Sequence, residues 1–285
     1  MATDIDSGCS VADHRTCQSM RSNVLVIGSG SFIAKHWRQI SSLGQRHVDR
    51  HGVADSDTAP VDVVVNCATS PDFKSATYDE ALDLDLRAAR LAFRQGAHFV
   101  MLSTRKVYAQ SKSLVVLDEE STLGPSDHYG SNKLESERRI QALLGDRCTI
   151  LRIANVFGFE LGRRSFFGLA MTKLKHEKRI VLDVSPFTAR DFISAHHLGR
   201  ILDGICAKRP SGIVNVGSGH AIQLGRIAQW LIEGYGTGAL EIIDVAERDA
   251  FVMNVVKLNK ILGMGPSSHD LESDIRLIGK QLKDE

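Results

Sequence analysis

Four apolar residues in a row, Val24-Leu25-Val26-Ile27, run into Gly28-Ser29-Gly30 and then into a helical stretch over about 32–42. A β-branched run stopped by glycines and followed by a helical period predicts strand, tight turn, helix. The pattern repeats. A second apolar run at 61–66 precedes a predicted helix at 79–95, a third at 99–102 ends on Ser103-Thr104, and a fourth at 149–153 follows a predicted helix at 129–144. Strands alternating with helices predict an α/β fold, a Rossmann-like doubly wound parallel sheet covered on both faces. After Gly158 the segments shorten: helix 167–176, strand 180–182, helix 195–207, strand 212–216, helix 222–232. This predicts a dinucleotide-binding domain over 23–158 and a smaller substrate lobe over 159–285, interleaved because some later strands return to the first sheet. One spacing is unusual. Only residues 43–60 separate the first helix from the 61–66 strand, and a crossover takes a dozen or more residues by itself, so one strand-helix unit is abbreviated, with a short strand near 47–49.

Composition narrows the partners. Of 285 residues 43% are hydrophobic and 24% charged, enough for a substantial core. Lys plus Arg total 35 against 34 Asp plus Glu, so the net charge of +1 gives no bulk attraction to nucleic acid or to an anionic membrane. No stretch approaches the roughly 20 apolar residues of a membrane span. Cys9, Cys17, Cys67, Cys148 and Cys206 form no CxxC pair, which argues against a disulfide framework or a metal site and for a reducing cytoplasm. Residues 1–22 lack a signal-peptide core and both hydrophobic periods, and read as a loose extension.

Two local patterns carry chemistry. The turn over 28–34 stands where a dinucleotide pyrophosphate would meet the N-terminus of a helix, whose amides and dipole favour an anion. Tyr129 and Lys133 are four apart at a predicted helix start and so share a face. A phenol with an ordinary pKa near 10 is a poor base at neutral pH, and a fixed cation beside it lowers that value. Tyr129 could then exchange a proton with a substrate hydroxyl while hydride passes between that carbon and nicotinamide. Thr104, which both donates and accepts, could hold the same oxygen. The same spacing also fits a surface tyrosine beside a solvated lysine.

Several motifs in order carry a resemblance. Tyr129-Gly130-Ser131-Asn132-Lys133 with Glu137 resembles the YGxSKxxxE signature of the extended short-chain dehydrogenase/reductase enzymes, in their NAD-dependent epimerase/dehydratase family. Residues 103–108 resemble its SSxxVYG strand end, 63–68 its DVVIHLAA strand, and 151–158 its LRxxNVYG segment. Residues 190–193 resemble RDFI, and 215–219 the NIGSG that opens a late helix. The resemblance spans about residues 23–263. It implies NAD or NADP as cofactor, a nucleotide-sugar substrate and a homodimer. It implies a catalytic triad of Thr104, Tyr129 and Lys133, with Lys133 also holding the nicotinamide ribose. Gly28, Ser31, Phe32 and Ile33 would line the pyrophosphate turn, with Ser31 and Ala34 replacing two glycines of GxxGxxG. Cys67, Ala68 and Thr69 would pass beside the riboses, Asn155 would touch the sugar nucleotide, and Arg248 would grip its diphosphate. Arg190 and Asp191 are equally an ion pair or ligand contacts, and His196 and His197 are read as packing or surface residues.

Departures narrow the reaction. The family's 4,6-dehydratases carry an acidic pair at the strand end where this chain has Arg105-Lys106, so a 4-keto-sugar reductase or epimerase is expected rather than a dehydratase. Asp49 suits an adenosine ribose hydroxyl, and Arg50 or Arg46 a 2'-phosphate; the sequence does not choose between NAD and NADP. A different class stays open. In it the chain binds dinucleotide without turnover, as a regulatory or scaffolding subunit, a reading favoured by the altered glycine turn and opposed by the intact triad.

Overall fold

A computed structural model of the chain describes residues 23–50, 59–263 and 268–285. The first apolar run forms β1 (Asn23–Ile27), buried after its first residue. Helix α1 (Phe32–Ile40) starts where the Ser31 hydroxyl accepts the Ala34 amide at 3.2 Å, a side-chain N-cap. There follow β2 (Gly44–Val48), β3 (Val63–Asn66), α2 (Pro71–Ser75), α3 (Leu84–Gln95), β4 (His98–Thr104), β5 (Val115–Leu117), α4 (His128–Leu144), β6 (Cys148–Ile153) and β7 (Asn155–Phe157). The rest comprises α5 (Phe166–Glu177), β8 (Arg179–Leu182), β9 (Ala189–Ser194), α6 (Ala195–Lys208), β10 (Gly212–Val216), β11 (Ala221–Gln223), α7 (Leu224–Tyr235), β12 (Ala239–Ile242), β13 (Phe251–Met253), α8 (Val256–Leu262) and α9 (Ser268–Asp284).

The main sheet has the order β10-β6-β4-β3-β1-β2, and every neighbouring pair is parallel. Alternation along the strands feeds two cores. Val24, Val26, Val63 and Val65 face α1 and α6, while Leu25, Ile27 and Val64 face α3 and α4. From β1 the chain steps one way to β2 and the other way to β3. That reversal opens a crevice at the C-terminal ends of β1 and β3, where such sheets bind ligands. The short strand expected near 47–49 is β2, displaced a few residues towards the N-terminus. From β2 the chain reaches β3 without a helix among the described residues, and residues 51–58 lie outside them. The extension at 1–22 also lies outside them.

A second sheet, β11-β9-β13-β5 with β7 on β9, adjoins a core in which Phe157, Phe167, Leu231 and Ile275 are buried. Two boundaries differ from the sequence reading for local reasons. The helix expected over 79–95 is a short turn at Glu80–Leu82 followed by α3, because the Asp83 carboxylate accepts the Leu86 amide at 2.9 Å and restarts the helix there. The helix expected from 222 begins at Leu224, since Ile222 pairs with Arg190 of β9.

Gly28 has φ +87°, and a Cβ built there would stand 2.8 Å from the Ala68 nitrogen and 2.7 Å from its Cβ. Only glycine holds that backbone and that approach without strain. Gly28→Ala is expected to cost about 2–4 kcal/mol, the left-handed backbone penalty plus the overlap, read as a lower denaturant midpoint. An unchanged midpoint would show that β1 and the 67–69 loop are not packed this closely.

Candidate active site

Helix α4 presents the catalytic candidates. Its N-cap is Asp127, whose carboxylate accepts the Gly130 amide at 2.8 Å, so Tyr129 lies in the first turn and Lys133 one turn further on. Thr104 closes β4, and its hydroxyl accepts the Lys106 amide at 3.2 Å. Thr104, Tyr129 and Lys133 meet in one cavity of about 260 Å³, together with Ile33, Cys67, Ala68, Thr69 and Asn155.

The electrostatics differ from the expectation of a lysine that lowers the phenol. Lys133 is buried; its ammonium donates to Asp85 Oδ2 at 2.6 Å and to the Leu102 carbonyl at 2.8 Å. Burial disfavours its charge, but the Asp85 carboxylate overrides this and holds the ammonium above the ordinary lysine range. Burial is also the largest influence on Tyr129 and lifts its phenol above the ordinary value; Lys133 opposes this, whereas Asp85 and Asp127 add to it. Lys133 Nζ lies 5.9 Å from the Tyr129 ring centroid. Burial, aided by Asp85, pushes the Cys67 thiol up to about 12, so it lines the cavity as a neutral group.

A second cavity, about 390 Å³, is lined by Gly28, Gly30, Ser31, Asp49 and Arg50, and shares Ala68 and Thr69 with the first. The amides of Gly28 and Ser29 both donate to the Val48 carbonyl at 2.9 Å, tying the turn to β2, and Ser31 N donates to the Gly28 carbonyl. Those of Phe32 and Ile33, at the start of α1, have no partner among the described residues. Ser31 thus serves as helix cap; the close approach expected of a glycine is made at Gly28 instead. The Phe32 ring is buried beneath the Arg163 guanidinium, 3.8 Å from its centroid, which leaves its backbone as the part that could meet an anion.

A third cavity of about 460 Å³ includes Lys173, Asp183 and Arg248 and shares Phe166 and Arg190 with the first. Arg248 pairs with Asp244 and donates to the Asp183 carbonyl at 3.0 Å. It does not reach the first cavity. Arg190 and Asp191 are not an ion pair. Arg190 donates to the carbonyls of Asp249 and Arg248 at 3.0 and 2.9 Å, whereas Asp191 is buried and accepts from the amides of Ser218, Gly219 and Met253. Asn155 donates to the Asp191 carbonyl at 3.3 Å and keeps its place on the first cavity. His196 and His197 line neither this cavity nor its two neighbours.

Arg105 and Lys106 turn away from the first cavity. Arg105 makes a two-pronged pair with Asp249 over the Phe251 ring, and Lys106 pairs with Asp127 at 2.5 Å. Among the described residues no carboxylate lines the first cavity. Arg163 and Asp85 are among the residues at the site that the sequence patterns did not single out. Arg163, on an irregular loop, gives no periodic signal. Asp85 does: it falls on the stripe of Ala88, Ala89 and Ala92, all buried, and a carboxylate on an apolar stripe needs a buried partner.

No curated protein matches the chain in sequence. Solved structures share its fold. A UDP-N-acetylglucosamine 4-epimerase from Methanobrevibacter ruminantium M1, in complex with UDP-N-acetylmuramic acid, is 17% identical with a TM-score of 0.75, covering 91% of this chain and 97% of that one. RMD from Pseudomonas aeruginosa, complexed with NADPH, is 18% identical with a TM-score of 0.73, over 92% and 99%. A dTDP-glucose 4,6-dehydratase from Bacillus anthracis str. Ames, in complex with NAD, is 16% identical with a TM-score of 0.76, over 93% and 97%. Residues 43–208, more than half of the chain, match the family described as the RmlD substrate binding domain, and the protein belongs to that family.

Proposed function

We propose that the protein is an NAD(P)-dependent oxidoreductase acting on a nucleotide sugar at a ring carbinol or keto carbon, as a 4-keto-sugar reductase or an epimerase rather than a 4,6-dehydratase. The observation that carries this reading is the meeting of Thr104, Tyr129 and Lys133 on one cavity that shares walls with a cavity on each side.

The residues fit a dinucleotide. A Cβ at Gly28 would fill the approach to Ala68, and the Phe32 and Ile33 amides open the N-terminus of α1 to a pyrophosphate. Asp49 and Arg50 line the adenosine side and Lys133 the nicotinamide side. When bound, nicotinamide supplies hydride exchange. Thr104 and Tyr129 hold the substrate oxygen, and Tyr129 gives or takes its proton. On the far side Arg190, Lys173 and Arg248 offer cations to a nucleotide diphosphate, with Asn155 near the sugar. We place residues 23–158 in the dinucleotide lobe and 159–285 in the substrate lobe, and expect a cytoplasmic homodimer. Among the described residues no helix is long and apolar enough to cross a membrane.

The same fold hosts dehydratases, so the choice of reaction rests on the cavity wall. Elimination of water from a sugar needs an acid and a base beside the leaving group. With no carboxylate on the wall, Cys67 held neutral and Arg105 and Lys106 turned away, that pair is missing among the described residues. Incubation with NAD and nucleotide hexoses is expected to give no 4-keto-6-deoxy product, while with NADH or NADPH a 4-keto sugar nucleotide is reduced, or with NAD a hydroxyl centre is inverted. A 4-keto-6-deoxy chromophore in alkali that vanishes in Tyr129→Phe would overturn the choice. Mass spectrometry of ligands released from the purified protein is expected to find NAD or NADP.

A further inference from the structure

Behind the reacting groups runs a buried chain of polar contacts. The Lys133 ammonium touches Asp85 Oδ2 and the Leu102 carbonyl. The other Asp85 oxygen, Oδ1, accepts from Asn66 Nδ2 at 2.8 Å. Asn66 in turn accepts the Ala68 amide at 3.0 Å and donates to the Ala68 carbonyl at 3.0 Å, which fixes its amide orientation. Both oxygens of Asp85 thus have a donor facing them: burial pushes this carboxyl up, but the Lys133 ammonium and the Asn66 amide favour its charged form, and Lys133, held above the ordinary lysine range, is its ammonium partner. The side chains are 4% and 2% exposed, so little water screens the pair.

We propose that Asp85 is a positioning residue that draws the Lys133 ammonium back against the sheet and offsets its charge, adding to burial in keeping Tyr129 in the cavity as a protonated phenol, the form that serves carbonyl reduction. The proposal rests on Tyr129 being the proton-exchanging group. A carbonyl that takes a hydride from a reduced nicotinamide dinucleotide takes its oxygen-bound proton from the phenol; alcohol and oxidised dinucleotide result, and the phenolate regains a proton from water. Reduction needs the phenol and oxidation the phenolate. A compensated lysine therefore keeps the phenol form to higher pH, whereas an uncompensated one would shift the balance towards the phenolate.

The charges around the phenol are few enough to assign. Lys133 and Asp85 stand behind it and Asp127 caps its helix. Arg163 approaches from the loop after β7, and Lys74 of α2 has its ammonium 5.8 Å from the ring centroid. Asp83 adds to the negative side at Lys133. Among these only Asp85 bonds directly to Lys133.

Alkaline titration of tyrosinate by near-ultraviolet difference absorbance, with the Tyr129→Phe trace subtracted, isolates Tyr129 without substrate or cofactor. In Asp85→Asn the Tyr129 midpoint is expected to fall by about one pH unit or more, a tenfold rise in the phenolate-to-phenol ratio. In Asp85→Asn/Lys133→Met, which leaves no unpaired buried charge and so keeps the test open if the single variant does not fold, it is expected to stay within about half a unit of the parent. An unchanged midpoint in a folded Asp85→Asn, or a rise of more than about one unit in the double variant, overturns the proposal. With a 4-keto sugar nucleotide, the alkaline limit of reduction is expected to move down in Asp85→Asn by the same amount as the titration. Turnover retained in Tyr129→Phe would instead discard the role of Tyr129, while the titration would still decide the effect of Asp85.

Discussion

Tyr129→Phe is expected to lose at least about a hundredfold in turnover, the lower range for removing a general acid or base, while dinucleotide affinity stays near that of the parent. The phenylalanine ring keeps the packing of the first turn of α4, and the anion-facing amides of α1 are on another element. The loss should appear in kcat rather than in cofactor binding, because the phenol acts on the reacting oxygen. The pH dependence follows from the raised value of the phenol. Reduction requires the protonated form, so it is expected to hold through neutral pH and fail only as pH climbs through that raised value; oxidation is expected to grow over the same range. Near-parental turnover in the phenylalanine variant, with a nucleotide-sugar substrate in hand, would remove Tyr129 from the reaction.

The second large effect is on stability. Arg152 of β6 and Glu137 of α4 form an ion pair with side chains 3% and 1% exposed, at 2.7 Å between Arg152 Nη2 and Glu137 Oε2. The Ser103 hydroxyl also donates to Glu137, and Arg152 reaches the Glu119 carbonyl at 3.1 Å and covers the Tyr108 ring at 4.9 Å. Removing one partner leaves a buried charge without its counter-ion. Glu137→Leu is expected to lose about 3–5 kcal/mol. For a chain of this size that is a fall in Tm of roughly 10 °C, taking about 2–4 °C per kcal/mol. Adding Arg152→Met should restore most of the loss, since a hydrophobic pair avoids the desolvation that both ions suffer. If the single variant melts with the parent, water reaches the pair and the core between α4 and β6 is looser than described.

How much of this was legible in the sequence depended on whether the signal was local. The central strands of the main sheet announce themselves because a strand buried on both faces is mostly apolar, as in Val63-Val64-Val65. The meeting of Thr104 with Tyr129 was legible through motif order and the one-turn spacing of Tyr129 and Lys133. What a side chain is buried among, and what a lysine touches beyond its own helix, are tertiary facts, and so burial, with Asp85 adding to it, outweighed the expected lowering of the phenol by Lys133. Arg105 and Lys106 illustrate the same limit. Their types excluded an acid and base at those positions, but their direction was set by Asp249 and Asp127, the first lying 144 residues away in the chain. Short elements such as α2 were missed because five residues hold too few apolar positions to show a period.

The edge strand β10 has a consequence for how the chain is made. It is built from residues 212–216 yet pairs along its whole length with β6, which ends at Ile153. During synthesis β6 therefore emerges with one edge bare and waits about 60 residues for its neighbour, a gap that takes roughly 3–12 seconds at ordinary elongation rates. Throughout that interval a row of unpaired amides and carbonyls on a strand that is buried in the finished sheet is open to other chains, the usual route to aggregation. Conditions that slow translation between residues 154 and 216 should therefore lower soluble yield without altering the finished protein.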